Sequence, residues 1–231
     1  MKLHFEPDLD YQKQAIESVC DLFRGQEVCR TEFTVTMRLP EQQLTLGVAE
    51  TDLGVGNRLT LLDDQLLKNL QDVQMRNGLA PAGTLASGDF TVEMETGTGK
   101  TYVYLRSMLE LHRRYGFTKF IVVVPSVAIL EGVKKSFDDM KDHFKALFGV
   151  TNFTQLVYDG SRLQFVRKFA SSTFPVVLVI TQQSFNKAKN TIYGETEKLP
   201  SELKPYQWIQ RTRPIVILDE PQNMGSEKSK E

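Results

Sequence analysis

EMETGTGKT, residues 93–101, follows the short apolar run FTV at 90–92 and opens a helical pattern. Its glycine spacing decides how the rest of the chain is read. Gly97 and Gly99 permit a tight turn in which successive backbone N–H groups converge on one point, an arrangement suited to phosphate oxygens. A helix starting near Gly99 adds the positive end of its dipole. In such a loop Lys100 reaches the β- and γ-phosphates and the Thr101 hydroxyl ligates Mg²⁺. Thr96, Gly97, Thr98, Gly99, Lys100 and Thr101 are therefore the candidate nucleotide-binding residues. The strict pattern G-x-x-x-x-G-K-[ST] places glycine where this chain has Met94. The competing reading is a glycine-rich turn with an exposed lysine.

Working outward, short apolar runs alternate with helical stretches from residue 89 onward. Strands are expected at 90–94, 119–125, 153–159, 175–181 and 214–220, with helices at 99–114, 127–140, 162–170 and 202–211. Continuous Val/Ile runs mark strands covered on both faces, and repeated strand–helix–strand units imply a mostly parallel sheet. The fold class is thus α/β: a phosphate-loop domain with a mostly parallel sheet flanked by helices. Ligands of open α/β sheets bind at the carboxyl edge. There PIVILDEPQ (214–222) supplies Asp219, expected to hold Mg²⁺, and Glu220, expected to orient and deprotonate an attacking water. Read alone, that Asp-Glu pair only ends a strand.

Ahead of the loop, YQKQAIESVCDLFRG (11–25) has helical spacing with Gly25 as a cap. TEFTVTMRL (31–39) alternates as a strand, and 61–78 reads as an amphipathic helix closed by Asn77-Gly78. Residues 187–205 are polar and read as a surface excursion. Residues 1–25 form an N-terminal helical segment, 26–88 an inserted α+β segment, and 89–231 the phosphate-loop domain.

The chain has 231 residues and a net charge of −1, so charge gives no sign of nucleic-acid binding and does not exclude it. Two cysteines nine positions apart and three scattered histidines make no metal-ligand spacing and suggest reduced thiols in a cytoplasmic protein. No apolar run approaches the about eighteen residues of a membrane span, so no membrane association is expected.

The phosphate loop with the DEPQ box resembles the motors of helicase superfamily 2, whose first motif accepts a non-glycine at the position of Met94 and whose first motor domain is RecA-like. DYQKQAI (10–16) resembles the upstream glutamine motif of these motors, which implies that Gln12 reads adenine and that Phe5 stacks on the base. FTVEMETGTGKTYVYLR, YGFTKFIVVVPSVAILEGV, RPIVILDEPQNM and LLKNLQDVQMRNGL resemble, more closely, the restriction (Res) subunit of type III restriction–modification enzymes over essentially the whole chain. That resemblance implies ATP and Mg²⁺ as cofactors, double-stranded DNA and a modification (Mod) methyltransferase subunit as partners, and a nuclease domain elsewhere in the protein. It also implies DNA-backbone contacts from Pro125 and Ser126 in PSVAILEG and from Thr181 and Gln182 in TQQSF; as residues, both stretches read equally as ordinary strand-end loops. The family's second motor domain and nuclease do not appear in these 231 residues, so the expectation is a first motor domain that binds Mg-ATP and hydrolyses it poorly alone. Two alternatives stand beside it: a motor domain of another superfamily 2 DNA or RNA helicase, and a non-catalytic truncated binding remnant.

Overall fold

Residues 6–37, 50–149, 152–159, 164–184, 192 and 204–223 are described by the structure, a computed structural model. Six helices and six strands follow in chain order among them: α1 (Asp10–Asp21), β1 (Arg30–Met37), β2 (Glu50–Asn57), α2 (Asp63–Arg76), α3 (Lys100–Tyr115), β3 (Lys119–Val124), α4 (Val127–Phe148), β4 (Thr154–Val157), α5 (Gln164–Ser171), β5 (Val176–Thr181), α6 (Pro205–Arg211) and β6 (Ile215–Leu218). They divide into two compact units. One holds residues 1–29, 58–117 and 136–150; the other holds 30–57, 118–135 and 151–231.

The second unit contains a four-stranded sheet in the order β4-β5-β3-β6, with every neighbouring pair parallel. Its central strands are the chain's most apolar runs, KFIVVV and VVLVIT, and both are buried along their length save the last residue of β5. That is the pattern of strands covered on both faces. Ile121, Val123, Leu178 and Ile180 pack with Val166 and Phe169 of α5 and with Trp208 and Ile209 of α6 in one apolar core. β6 departs from this pattern. Its register pairs Ile121 with Val216 and Val123 with Leu218, so these side chains share the face that α5 and α6 cover farther along the sheet. On β6 that face is bare, with Val216 and Leu218 51% and 53% exposed. Ile192, within the stretch expected to be a polar excursion, is also buried in this core, and its carbonyl accepts a bond from the N–H of Tyr206. The rest of 187–203 lies outside the described residues.

The same unit carries an antiparallel hairpin, β1 paired with β2 from Arg30↔Asn57 to Met37↔Glu50. β2 was not expected, because ETDLGVGN carries two glycines and little β-forming character. Each glycine has a packing reason. The Phe33 ring on β1 lies over Gly54, and a Cβ at Gly56 would come within 2.9 Å of the Arg211 carbonyl oxygen and of Thr212 Cα. Asn57 ends β2, fully buried. Its Oδ1 accepts from the N–H groups of Thr118 and Lys119 at 2.9 and 3.1 Å, and its Nδ2 donates to the Lys119 carbonyl at 2.9 Å.

In the first unit α1 and α3 are joined by an ion pair and a side-chain-to-backbone hydrogen bond. Arg114 binds Glu17 of α1 at 2.5 Å, and Glu110 of its own helix at 3.2 Å, while the Tyr115 hydroxyl donates to the Cys20 carbonyl at 3.0 Å. Burial pushes the Cys20 thiol up to about 12, so it is a neutral core residue. α2 starts with Gln65 accepting from the Leu62 N–H, and it ends with left-handed Gly78 and a bond from Leu79 N–H back to the Gln74 carbonyl.

The strand expected at 90–94 is absent; those residues have no regular structure. Thr91, Val92 and Glu93 are exposed, and Asp89, Glu93 and Glu95 interrupt the apolar run. A segment with so few apolar side chains gains little from a ladder unless a neighbouring strand is present to pair with it. The other strand expectations from residue 119 onward stand, with β4 and β6 shorter than predicted.

Candidate functional site

Two groups of candidate residues occur, one in each unit. The first is the loop ahead of α3. Gly97 and Gly99 both take left-handed backbone angles, φ +82° and +87°, a region that residues with a side chain adopt rarely. Gly99 is the residue before the helix and brings no side chain of its own to cap it. Helices leave their first N–H groups without intrahelical partners, so a helix start presents donors and positive potential to an incoming anion. Nothing lies within 4 Å of the place a Cβ would occupy at Gly97, which leaves that side of the turn open. Thr96 and Gly97 are exposed, while Thr98, Gly99, Lys100 and Thr101 are half-buried. The turn is stabilised internally: Thr98 Oγ1 donates to the Glu95 carbonyl at 2.6 Å.

Gln12 comes to this loop from α1. Its Nε2 donates to the Thr98 carbonyl at 2.9 Å, and a Cβ on Gly99 would fall 2.7 Å from the same nitrogen. The residues expected to read the base and to hold the phosphates are therefore neighbours, although 86 positions separate Gln12 from Thr98. Phe5 lies outside the described residues. Tyr11, which the sequence reading did not single out, is exposed, with its hydroxyl 3.5 Å from Gln12 Nε2. Arg106 and Tyr102 were missed as well. Their i, i+4 spacing on α3 is the only sequence sign that they act together.

The second group occupies the carboxyl edge of the parallel sheet. Pro125 and Ser126 follow β3, Thr181 ends β5 and Gln182 begins a 3₁₀ turn, and Asp219 and Glu220 follow β6. Since all four strands run the same way, these three strand ends share one edge. The Asp219 N–H donates to the Val123 carbonyl at 3.0 Å, which carries the β3–β6 ladder one residue past the strand and fixes where the acid begins. Glu220 has φ +54°, left-handed for a residue with a side chain, and its carboxylate accepts from the Gln222 amide. Backbone strain of that kind is retained where surrounding contacts impose it, often at functional sites. Ser126 Oγ accepts from the Ile129 N–H at 3.4 Å, a capping position for α4, and the Thr181 hydroxyl bonds to that of Ser184 at 3.1 Å. Both hydroxyls thus have local partners as well as an accessible location. Among the described residues no cluster of His, Cys, Asp and Glu has the form of a metal site, and no helix is long and apolar enough to cross a membrane.

A parallel four-stranded sheet with helices packed against it defines the class of α/β domains, and the acids at its carboxyl edge and the glycine turn ahead of α3 are the two groups of candidate residues. The comparisons make the assignment specific. The family model for the type III restriction enzyme res subunit matches residues 7–230, and the chain belongs to that family. It is similar to the Res subunit of the type III restriction-modification enzyme StyLTI from Salmonella typhimurium, 37% identical over 150 residues, covering 56% of this chain and 15% of that protein. The EcoP15I Res subunit of Escherichia coli is 25% identical over 96% of this chain and 24% of its own length; the EcoPI Res subunit of Escherichia phage P1 is 26% identical over 97% and 24%. The chain spans at most 24% of the length of these relatives.

Proposed function

We propose that this chain is the ATP-binding first motor domain of a Res subunit, part of an ATP-dependent endonuclease that works on double-stranded DNA with a Mod methyltransferase subunit. The observation that carries the reading is the turn at Gly97–Gly99, left-handed at both glycines and leading directly into the N-terminus of α3. In this reading the loop amides and Lys100 hold the phosphates, and Thr101 and Asp219 hold Mg²⁺. Glu220 orients the attacking water and draws its proton, while Gln12, with Phe5, selects adenine. Bound Mg-ATP supplies an activated phosphoanhydride whose cleavage is controlled by charge placement. Pro125, Ser126, Thr181 and Gln182, at the same sheet edge as the acids, contact the DNA backbone, which positions a strand without reading its sequence. The protein acts in the cytoplasm, where its DNA and nucleotide are found. This chain alone binds nucleotide and turns it over slowly.

Calorimetric titration with Mg-ATP tests the reading. Saturable binding is expected, and Lys100→Ala should weaken it by about tenfold or more through loss of a charge-assisted contact. A wild-type chain with no affinity for ATP, or a Lys100→Ala variant that binds as well as wild type, contradicts it.

A further inference from the structure

The segment ahead of α1 is fastened to α3 by groups that phosphate binding does not require. Arg106 Nη1 donates to the Pro7 carbonyl at 2.5 Å and to the Tyr102 hydroxyl at 3.1 Å. Its guanidinium carbon stands 5.9 Å from the centroid of the Tyr102 ring. Tyr102 is a firm backing: it is buried, stacks on Phe144 at 5.6 Å between centroids, and shares a hydrogen bond with His143 Nε2 at 2.9 Å. What Arg106 holds is main chain, and five residues further on the same segment delivers Gln12 to the Thr98 carbonyl. Across the same stretch, Asp8 pairs with Lys13 at 2.6 Å, and the bond from Lys13 holds the Asp8 carboxyl below its ordinary range.

The Gln12 contact has a directional consequence. An amide offers two N–H donors on one side and an acceptor oxygen on the other. With one donor committed to Thr98, the amide cannot turn over without losing that bond, so its faces are fixed. The second N–H donates to the Tyr11 hydroxyl at 3.5 Å, which leaves Oε1 as the group of the amide that can accept from a base. Adenine presents its N6 amino donor to such an acceptor, whereas guanine presents the acceptor O6 at the same place.

We propose that Arg106 is a positioning residue for base selection: by pinning the Pro7 carbonyl it fixes where α1 starts, and so keeps the Gln12 amide in the one orientation that prefers adenine over guanine. The proposal rests on the reading that the loop takes a nucleoside triphosphate. It separates base preference from phosphate affinity, because Arg106 acts on the segment carrying Gln12 and has no contact with the loop glycines in the bonds above.

The test uses the whole chain with Arg106→Met and Arg106→Lys, each checked for wild-type thermal unfolding. Lysine keeps the charge and can satisfy one acceptor, so it serves if the methionine variant does not fold. Affinities are measured for Mg-ATP, Mg-GTP and Mg-tripolyphosphate, with amide hydrogen exchange followed over residues 6–16. In Arg106→Met, exchange in that segment should rise, ATP should bind about tenfold more weakly, and GTP and tripolyphosphate should change less than about twofold. Arg106→Lys should fall between. An unchanged ATP-to-GTP ratio, or equal weakening of all three ligands, overturns the proposal while leaving the nucleotide reading intact. A wild-type chain that binds none of the three sinks both, and unchanged exchange in folded Arg106→Met shows that the fastening itself is not real.

Discussion

Three hydrogen bonds converge on the Asn57 side chain, and two of them satisfy buried N–H groups at the entrance to β3. Replacing Asn57 with Ala strands both donors. A buried donor without a partner costs about 1–3 kcal/mol, so a loss of roughly 2–4 kcal/mol in urea denaturation is expected. Lys119 is the neighbouring case. Its side chain is fully buried, and Nζ donates to the carbonyls of Phe169 and Ser172, both at 2.6 Å, at the C-terminal end of α5. Burial draws its pKa down from 10.5 to about 7. Between those values the unfolded chain binds the extra proton, so stability rises with pH from about 7 upward. Lys119→Met should flatten that slope between about pH 7 and 9.5, a difference of the order of 1–3 kcal/mol, read from denaturation midpoints of the two proteins. A wild-type chain with no rise over this range, or a variant with the same rise, would contradict it. Neither role was legible in the sequence. An Asn after two glycines and a Lys opening a strand look like surface residues until the sheet encloses them.

At the scale of elements, legibility followed period and length. β3 and β5 were readable because an unbroken Val/Ile run has few other uses in an α/β chain, and α1, α2 and α3 because their apolar stripes repeat over several turns. β2 was hidden by Gly54 and Gly56, whose reasons lie on other elements: a ring on β1, and the main chain after α6. Gly56→Ala should destabilise the protein by about 1–3 kcal/mol, since the contact is with backbone that cannot swing aside. Gly54→Ala meets only the Phe33 ring, a side chain able to move, and should cost less. Thermal unfolding of the two variants checks the order, and equal losses would contradict it. The glycine turn ahead of α3 was legible to the residue, because the glycines needed for left-handed angles are themselves the signal. The strand before it was overread. A few apolar letters flanked by acids do not make a ladder.

Across the whole molecule, the two units are assembled from interleaved pieces of chain: the boundary is crossed at 29/30, 57/58, 117/118, 135/136 and 150/151. A piece starting at residue 89 lacks α1, whose Glu17 and Cys20 engage α3, and also lacks the hairpin and Asn57 that close the start of β3. Such a piece should express insoluble or give a far-UV spectrum without cooperative melting, and a cooperative transition matching that of the whole chain would refute this. Sequence could not announce the interleaving, because it depends on long-range contacts and not on any local composition shift.

β6 leaves one more mark on how the molecule behaves in solution. A strand at the edge of the sheet among the described residues, bearing Val216 and Leu218 half out in water, is a template onto which another extended backbone can zip. At high concentration the protein should therefore form clumps that begin at this seam, and lysine at Leu218, which takes no part in the core, should delay light scattering on warming without lowering the melting temperature.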